Sequence, residues 1–102
     1  MTAYAIEVVD LAIEELRGLR SFDRRPILEA IHQQLIHEPT VITRNRKRLE
    51  PLITSFEAVP PIWELRVGEY RVFYDVDEEE KIVYIRAIRH KASGQTTQEI
   101  VR

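Results

Sequence analysis

The 102-residue chain contains no cysteine. Disulfides and thiolate metal sites are excluded, and with them the small disulfide-stapled scaffolds. Its three glycines, Gly18, Gly68 and Gly94, are isolated, so no glycine-rich loop is present to cradle a nucleotide phosphate. No apolar run approaches the ~18–20 residues of a membrane helix. No basic segment followed by an apolar one opens the sequence, so no signal peptide is expected. The three histidines, His32, His37 and His90, lack ligand spacing and form no H-E-x-x-H pattern, so neither a metal site nor a cofactor is expected. Ser21, Ser55 and Ser93 occupy no nucleophile-elbow context. There is no internal repeat and no low-complexity segment. The expectation is one cytoplasmic domain spanning residues 1–102, with no membrane partner.

Charge of one sign is also lacking. Fifteen Lys and Arg oppose seventeen Asp and Glu, giving −2 at pH 7, which argues against a uniformly basic nucleic-acid binder. The cations are nevertheless clustered. Arg17, Arg20, Arg24 and Arg25 form one group, Arg44, Arg46, Lys47 and Arg48 a second, and Arg86, Arg89, His90 and Lys91 a third. Acids gather at Asp75, Asp77, Glu78, Glu79 and Glu80. A local basic face can steer an anionic ligand whatever the net charge.

With 44% apolar residues, what is present is enough for a single core. Tyr4 to Val9 reads as a strand. Asp10 is a candidate N-cap for a helix to about Arg20, with Ile13, Leu16 and Leu19 inward and Glu14, Glu15 and Arg17 outward. Asp23 is a second N-cap candidate, with Pro26 in the first turn that follows. Ile27, Leu28, Ile31 and Leu35 then give an apolar stripe to about His37, and Pro39 stops the helix. Residues 38–61 read as a long connector, in which Leu49, Leu52, Ile53 and Phe56 suggest partial packing and one helical turn. Ile62 to Lys91 reads as a three-strand meander: Trp63 to Val67, a reversal at Val67-Gly68-Glu69, Tyr70 to Val76, a polar turn at Asp77 to Glu80, and Lys81 to Arg89. The tail from Ala92 is open between a short helix, a fourth strand and disorder. The resulting β-α-α-β-β-β order predicts an α+β fold: an antiparallel central sheet, two N-terminal helices on one face, and the other face partly open.

Strand alternation puts Tyr70, Val72, Tyr74 and Val76 on one side, and Arg71, Phe73 and Asp75 on the other. Arg71 is either solvated or paired with Asp75 or Glu64, or it is a guanidinium poised for a phosphate. His90 ends a strand between Arg89 and Lys91. It is either a structural or exposed histidine, or a general acid or base held neutral by neighbouring cations. The run Arg44-Asn45-Arg46-Lys47-Arg48 is either a solvated loop or a contact to a nucleic-acid backbone.

The segment Trp63-Glu64-Leu65-Arg66-Val67-Gly68-Glu69-Tyr70-Arg71-Val72-Phe73-Tyr74 resembles the W-x-L-R-x-G-x-Y-R-V-x-Y pattern of the RelE/ParE superfamily, toxins of bacterial type II toxin–antitoxin systems. Tyr4 to Val8 with Ala12 to Leu19 is similar to that family's opening strand and first helix. Ile27 to Pro39 is similar to its second helix. Asn45 to Leu49 is similar to its basic segment, and Ile85 to Lys91 to its last core strand. The RelE branch of the resemblance implies a ribosome-dependent mRNA endonuclease that needs no metal. In it the ribose 2′-OH attacks the adjacent phosphate while cations stabilise the charge that develops. By position, the resemblance implies Arg71 and Lys91 as electrostatic stabilisers, Glu64 or His90 as base, and His90 as acid. It gives Arg44, Arg46, Lys47, Arg48, Arg66 and Arg89 to the RNA backbone. The sequence departs from the pattern at Lys91, where arginine is usual, and in a tail without the tyrosine common after the last strand. A cognate antitoxin is the implied partner, with the ribosome and mRNA as targets. The alternatives are a ParE-like gyrase poison, or a member acting mainly through antitoxin binding.

Overall fold

The computed structural model describes residues 3–102. Its elements are β1 (Ala5–Val8), α1 (Asp10–Arg17), α2 (Ser21–Leu35), β2 (Arg46–Arg48), β3 (Trp63–Val67), β4 (Tyr70–Asp77), β5 (Ile82–His90) and α3 (Thr97–Val101). They build a five-stranded sheet in the order β1-β5-β4-β3-β2. β2 through β5 pair antiparallel, and β1 joins the edge parallel to β5. The expected α+β fold is present, and the sheet is mixed rather than purely antiparallel. A strand that leaves through two helices before the meander can return to the sheet in parallel.

Both helix starts differ from expectation. Asp10 is the first helical residue, and Val9 takes the N-cap position without a side-chain bond. α2 likewise begins at Ser21, with Arg20 at its N-cap, so Asp23 lies in its first turn and Pro26 sits inside the helix. There the missing N–H leaves the helix one bond short. The connector gains β2 in place of the expected helical turn.

The sheet carries core on both faces. On one, Val72, Tyr74, Val83, Ile85, Trp63 and Leu65 pack against Ala12, Leu16, Ile27, Ile31 and Leu35 of the helices. Leu28, assigned inward by periodicity, is exposed. The opposite face is covered, not open. Phe73 and Ala87 are buried there beneath Phe56, Ile100 and Val101. α3 is tied to the connector by Ser55 N–H donating to the Val101 carbonyl at 2.7 Å. The helix was readable in principle. Thr96-Thr97-Gln98-Glu99 is a capping-box sequence, and Thr96 Oγ1 accepts the Glu99 N–H at 3.3 Å.

One irregularity in β5 governs the functional geometry. Tyr74 pairs with Ile85 and Phe73 with Ala87, so Arg86 is an extra residue in the ladder, a β-bulge. It shifts the phase of everything after it. Ile88 lies opposite Val72 and His90 opposite Tyr70 on the helix side, whereas Arg89 lies opposite Arg71 on the α3 side. Asp75 holds the bulge. Arg86 Nε donates to Asp75 Oδ2 at 2.7 Å and Nη2 to Oδ1 at 3.2 Å, and the Val59 N–H donates to the same carboxylate at 2.9 Å. The hydrogen bonds to Asp75 hold the Arg86 guanidinium firmly in its charged form, against the opposing cost of burial.

Candidate functional site

The two-residue turn between β3 and β4 needs a positive φ at its first position, and Gly68 supplies it at 57°. This tight turn lets the strand ends approach the segment after β5, where the Lys91 N–H donates to the Glu69 carbonyl at 2.7 Å. Between them opens a polar cleft of about 330 Å³ lined by Arg66, Arg71 and Lys91 with Gly68, Glu69 and the 92–95 loop. Arg66 and Arg71 are direct cross-strand partners. Like charges placed so are destabilising unless an anion is shared.

Arg71 alone of the two has Glu64 beside it. The Glu64 side chain is buried, and Arg71 Nε lies 4.0 Å from its Oε1. Lys47 Nζ stands 3.6 Å from the same oxygen, and Thr97 Oγ1 donates to Oε2 at 3.3 Å. Arg71 is fixed from the other end, since its Nη1 donates to the carbonyls of Gly68 and Tyr70, both at 2.9 Å. A guanidinium so oriented at a cleft wall is preorganised for an oxyanion.

The other sequence-predicted residues separate. His90 is on the opposite face. Its ring meets Tyr70 edge-on at 5.3 Å, and its Nε2 lies 3.2 Å from Glu69 Oε2. The bulge at Arg86 is the cause, and Glu64, Arg71 and His90 do not converge. Arg46 is buried rather than RNA-facing. Its Nη1 donates to the carbonyls of Gln34 in α2 and Glu38 just after it, and its Nε to Thr43 Oγ1. Arg89 is also committed within the fold. Its Nε stands 2.8 Å from Glu15 Oε2, close enough for ion pairing though poorly aligned for a hydrogen bond. Nη1 of Arg89 donates to the Ile100 carbonyl at 3.3 Å, and its guanidinium lies over the Phe56 ring. Arg44 and Arg48 remain exposed. Gln95, which the sequence reading passed over, also lines the cleft, with its Oε1 accepting the Ala92 N–H at 2.7 Å.

A larger hollow of about 430 Å³ lies by β2, walled by Leu49, Pro51, Leu52, Pro60, Pro61 and Ile62 together with Arg48 and Glu50. Its walls are mostly apolar and its single cation is matched by one acid, so the smaller cleft with three cations is the candidate site. Among the described residues, no three of His, Asp or Glu gather to hold a metal ion. No helix among them is long and apolar enough to cross a membrane.

Residues 6–93 match the family model of the ParE toxin of the type II toxin–antitoxin system, parDE. The chain belongs to this toxin family. No curated protein sequence matches it. Solved structures of the wider RelE/ParE superfamily share the toxin's fold. The toxin–antitoxin complex RelBE2 of Mycobacterium tuberculosis aligns with TM-score 0.70 at 23% identity, over 88% of this toxin and 100% of that chain. The archaeal RelE–RelB complex of Pyrococcus horikoshii gives 0.69 at 23% identity, over 92% and 100%. The isolated RelE toxin of E. coli gives 0.68 at 21% identity, over 95% and 94%.

Proposed function

We propose that this toxin is a cytoplasmic, ribosome-dependent mRNA endonuclease neutralised by a cognate antitoxin. The observation that carries the reading is the convergence of Arg66, Arg71 and Lys91 on one polar cleft. Such a cleft fits a phosphodiester better than a protein surface, which would offer apolar contact area. Two of the similar structures are complexes of a toxin with its antitoxin, which supports the antitoxin partner.

In the proposed reaction the ribose 2′-oxygen bonds to the adjacent phosphorus, and its proton passes to the Glu64 carboxylate. The bond from phosphorus to the 5′-oxygen breaks, and water protonates that oxygen as it leaves. Arg71 and Arg66 stabilise the charge building on the non-bridging oxygens, and Lys91 the charge on the leaving oxygen. Glu64 reaches the 2′-OH once Lys47 and Thr97 release it. The Lys47 side chain is 57% exposed, free to swing toward the RNA backbone. His90 takes no part.

Inducible expression followed by mapping of mRNA ends on translating ribosomes tests this. Arg71→Ala should lower cleavage by roughly 10²–10³-fold, the cost of losing one such stabilising donor, and Glu64→Gln should also be impaired. His90→Ala should cleave like the parent. A second reading, a gyrase poison, is favoured by one observation: both Glu64 oxygens are engaged and His90 faces away, so neither of the two proton acceptors expected from the sequence is free at the cleft. Intact mRNA together with inhibited supercoiling would establish that reading instead.

A further inference from the structure

The first turn of α2 presents a feature that the fold does not use. Phe22 is 82% exposed, on a chain whose other two phenylalanines are buried. An aromatic ring in water is a costly place to leave apolar area without a partner. Phe22 walls a second cleft, of about 230 Å³, with Pro26, Val67 and Tyr70. Asp23, Ile27, Gly68 and Glu69 complete it, and Gly68 and Glu69 also line the cationic cleft. The two hollows are therefore neighbours, separated only by the two-residue turn between β3 and β4.

We infer that the Phe22–Tyr70 cleft is a nucleobase subsite, in which single-stranded RNA stacks one base while an adjacent phosphate occupies the Arg66–Arg71–Lys91 cleft. The inference rests on the RNA reading of the cationic cleft. The size is suitable, since a cavity of ~150 Å³ holds a benzene ring. The chemistry is that of sequence-tolerant single-strand binding, in which a cationic track for phosphates runs beside aromatic faces for bases. Two acids line the Phe22 cleft and oppose an anionic backbone, and each has a basic neighbour: Asp23 Oδ2 lies 3.6 Å from Arg20 Nε, and Glu69 Oε2 lies 3.2 Å from His90 Nε2. A protein partner would find apolar area at Phe22 but would leave the adjoining three cations unexplained. The wall shared with a cationic cleft is what favours RNA.

The test uses the purified full-length toxin and two short single-stranded RNA probes. One carries a fluorescent adenine analogue, and the other is abasic at that position. Stacking should quench the analogue on binding. Phe22→Ala should abolish the quench and weaken the base-bearing probe roughly 5- to 100-fold, while leaving the abasic probe unchanged. Phe22→Trp should restore both signals, which a merely structural role would not predict. Arg66→Ala should weaken both probes alike, and Glu69→Gln should tighten both. If Phe22→Ala binds the base-bearing probe as tightly as the parent, the subsite is overturned while the cationic cleft stands. Loss of antitoxin binding in Phe22→Ala, with RNA binding intact, would make Phe22 a protein contact and overturn it equally. If the parent binds neither probe and is indifferent to Arg66→Ala, both readings fall.

Discussion

Adjacent residues in the run from Arg44 to Arg48 have opposite fates. Arg46 pairs with Leu65 and so points to the helix side, where its guanidinium donates to the carbonyls of Gln34 in α2 and Glu38 beyond it. Lys47, one residue on, points to the α3 side and Glu64. Composition showed a basic run but could not show this division, because it depends on a pairing between β2 and β3 that the sequence did not announce. Arg46→Ala should cost about 2–4 kcal/mol in urea unfolding, since it strips buried carbonyls of their donor. Arg44→Ala should stay within about 0.5 kcal/mol. Tyr74 gives a test by pH. Its hydroxyl is buried and donates to the Pro39 carbonyl at 2.6 Å, and burial pushes its pKa well above the ordinary tyrosine value, with only partial relief from Arg46. A group raised in this way contributes stability that is fully present below the unfolded value near 10, and that is lost as pH rises toward the folded value. In an alkaline absorbance titration Tyr74 should therefore ionise above the ordinary tyrosine range, in step with unfolding. Tyr74→Phe should remove that late step.

The strands of the meander were legible because their alternation is strong and Gly68 marks their turn. The facing of β5 beyond Ile85 was not, because a bulge leaves no compositional trace. Its lock is a tertiary contact between Asp75 and Arg86. Asp75→Ala should destabilise by about 2–4 kcal/mol, because it leaves a part-buried guanidinium and the Val59 N–H without their partner. Asp75→Ala combined with Arg86→Ala should cost less than the sum of the single changes, read in a double-mutant cycle. The cover of the second sheet face was also missed, although the Thr96–Glu99 capping box was in view. Thr96→Ala should lower stability by about 1 kcal/mol, and hydrogen exchange should show the loss concentrated in α3.

Across the whole molecule the charges separate along β4. The cationic cleft adjoins Tyr70, and the acidic turn, Glu78 to Glu80, follows Asp77. At the rise of an extended strand these ends are roughly 23 Å apart. A net charge of −2 thus conceals a cationic cleft and an acidic turn at opposite ends of β4, a separation of the kind that steers polyanions. Under the proposed RNA function, three cleft cations on phosphates predict a plot of log affinity for single-stranded RNA against log salt with a slope of about −2. Arg66→Ala should make that slope shallower by about 0.7, measured by titration at several ionic strengths.

The extra residue at Arg86 has a consequence for how kinship is read. Two relatives can agree letter for letter after this point and still offer those letters to opposite sides of the sheet, if only one of them carries the insertion. A histidine matched in column to His90 in a chain without the bulge would look into the cleft, while His90 looks at the helices. For comparison with this chain, parity therefore matters: the number of residues between the last turn and the end of the strand, odd or even, says which side of the sheet a position faces.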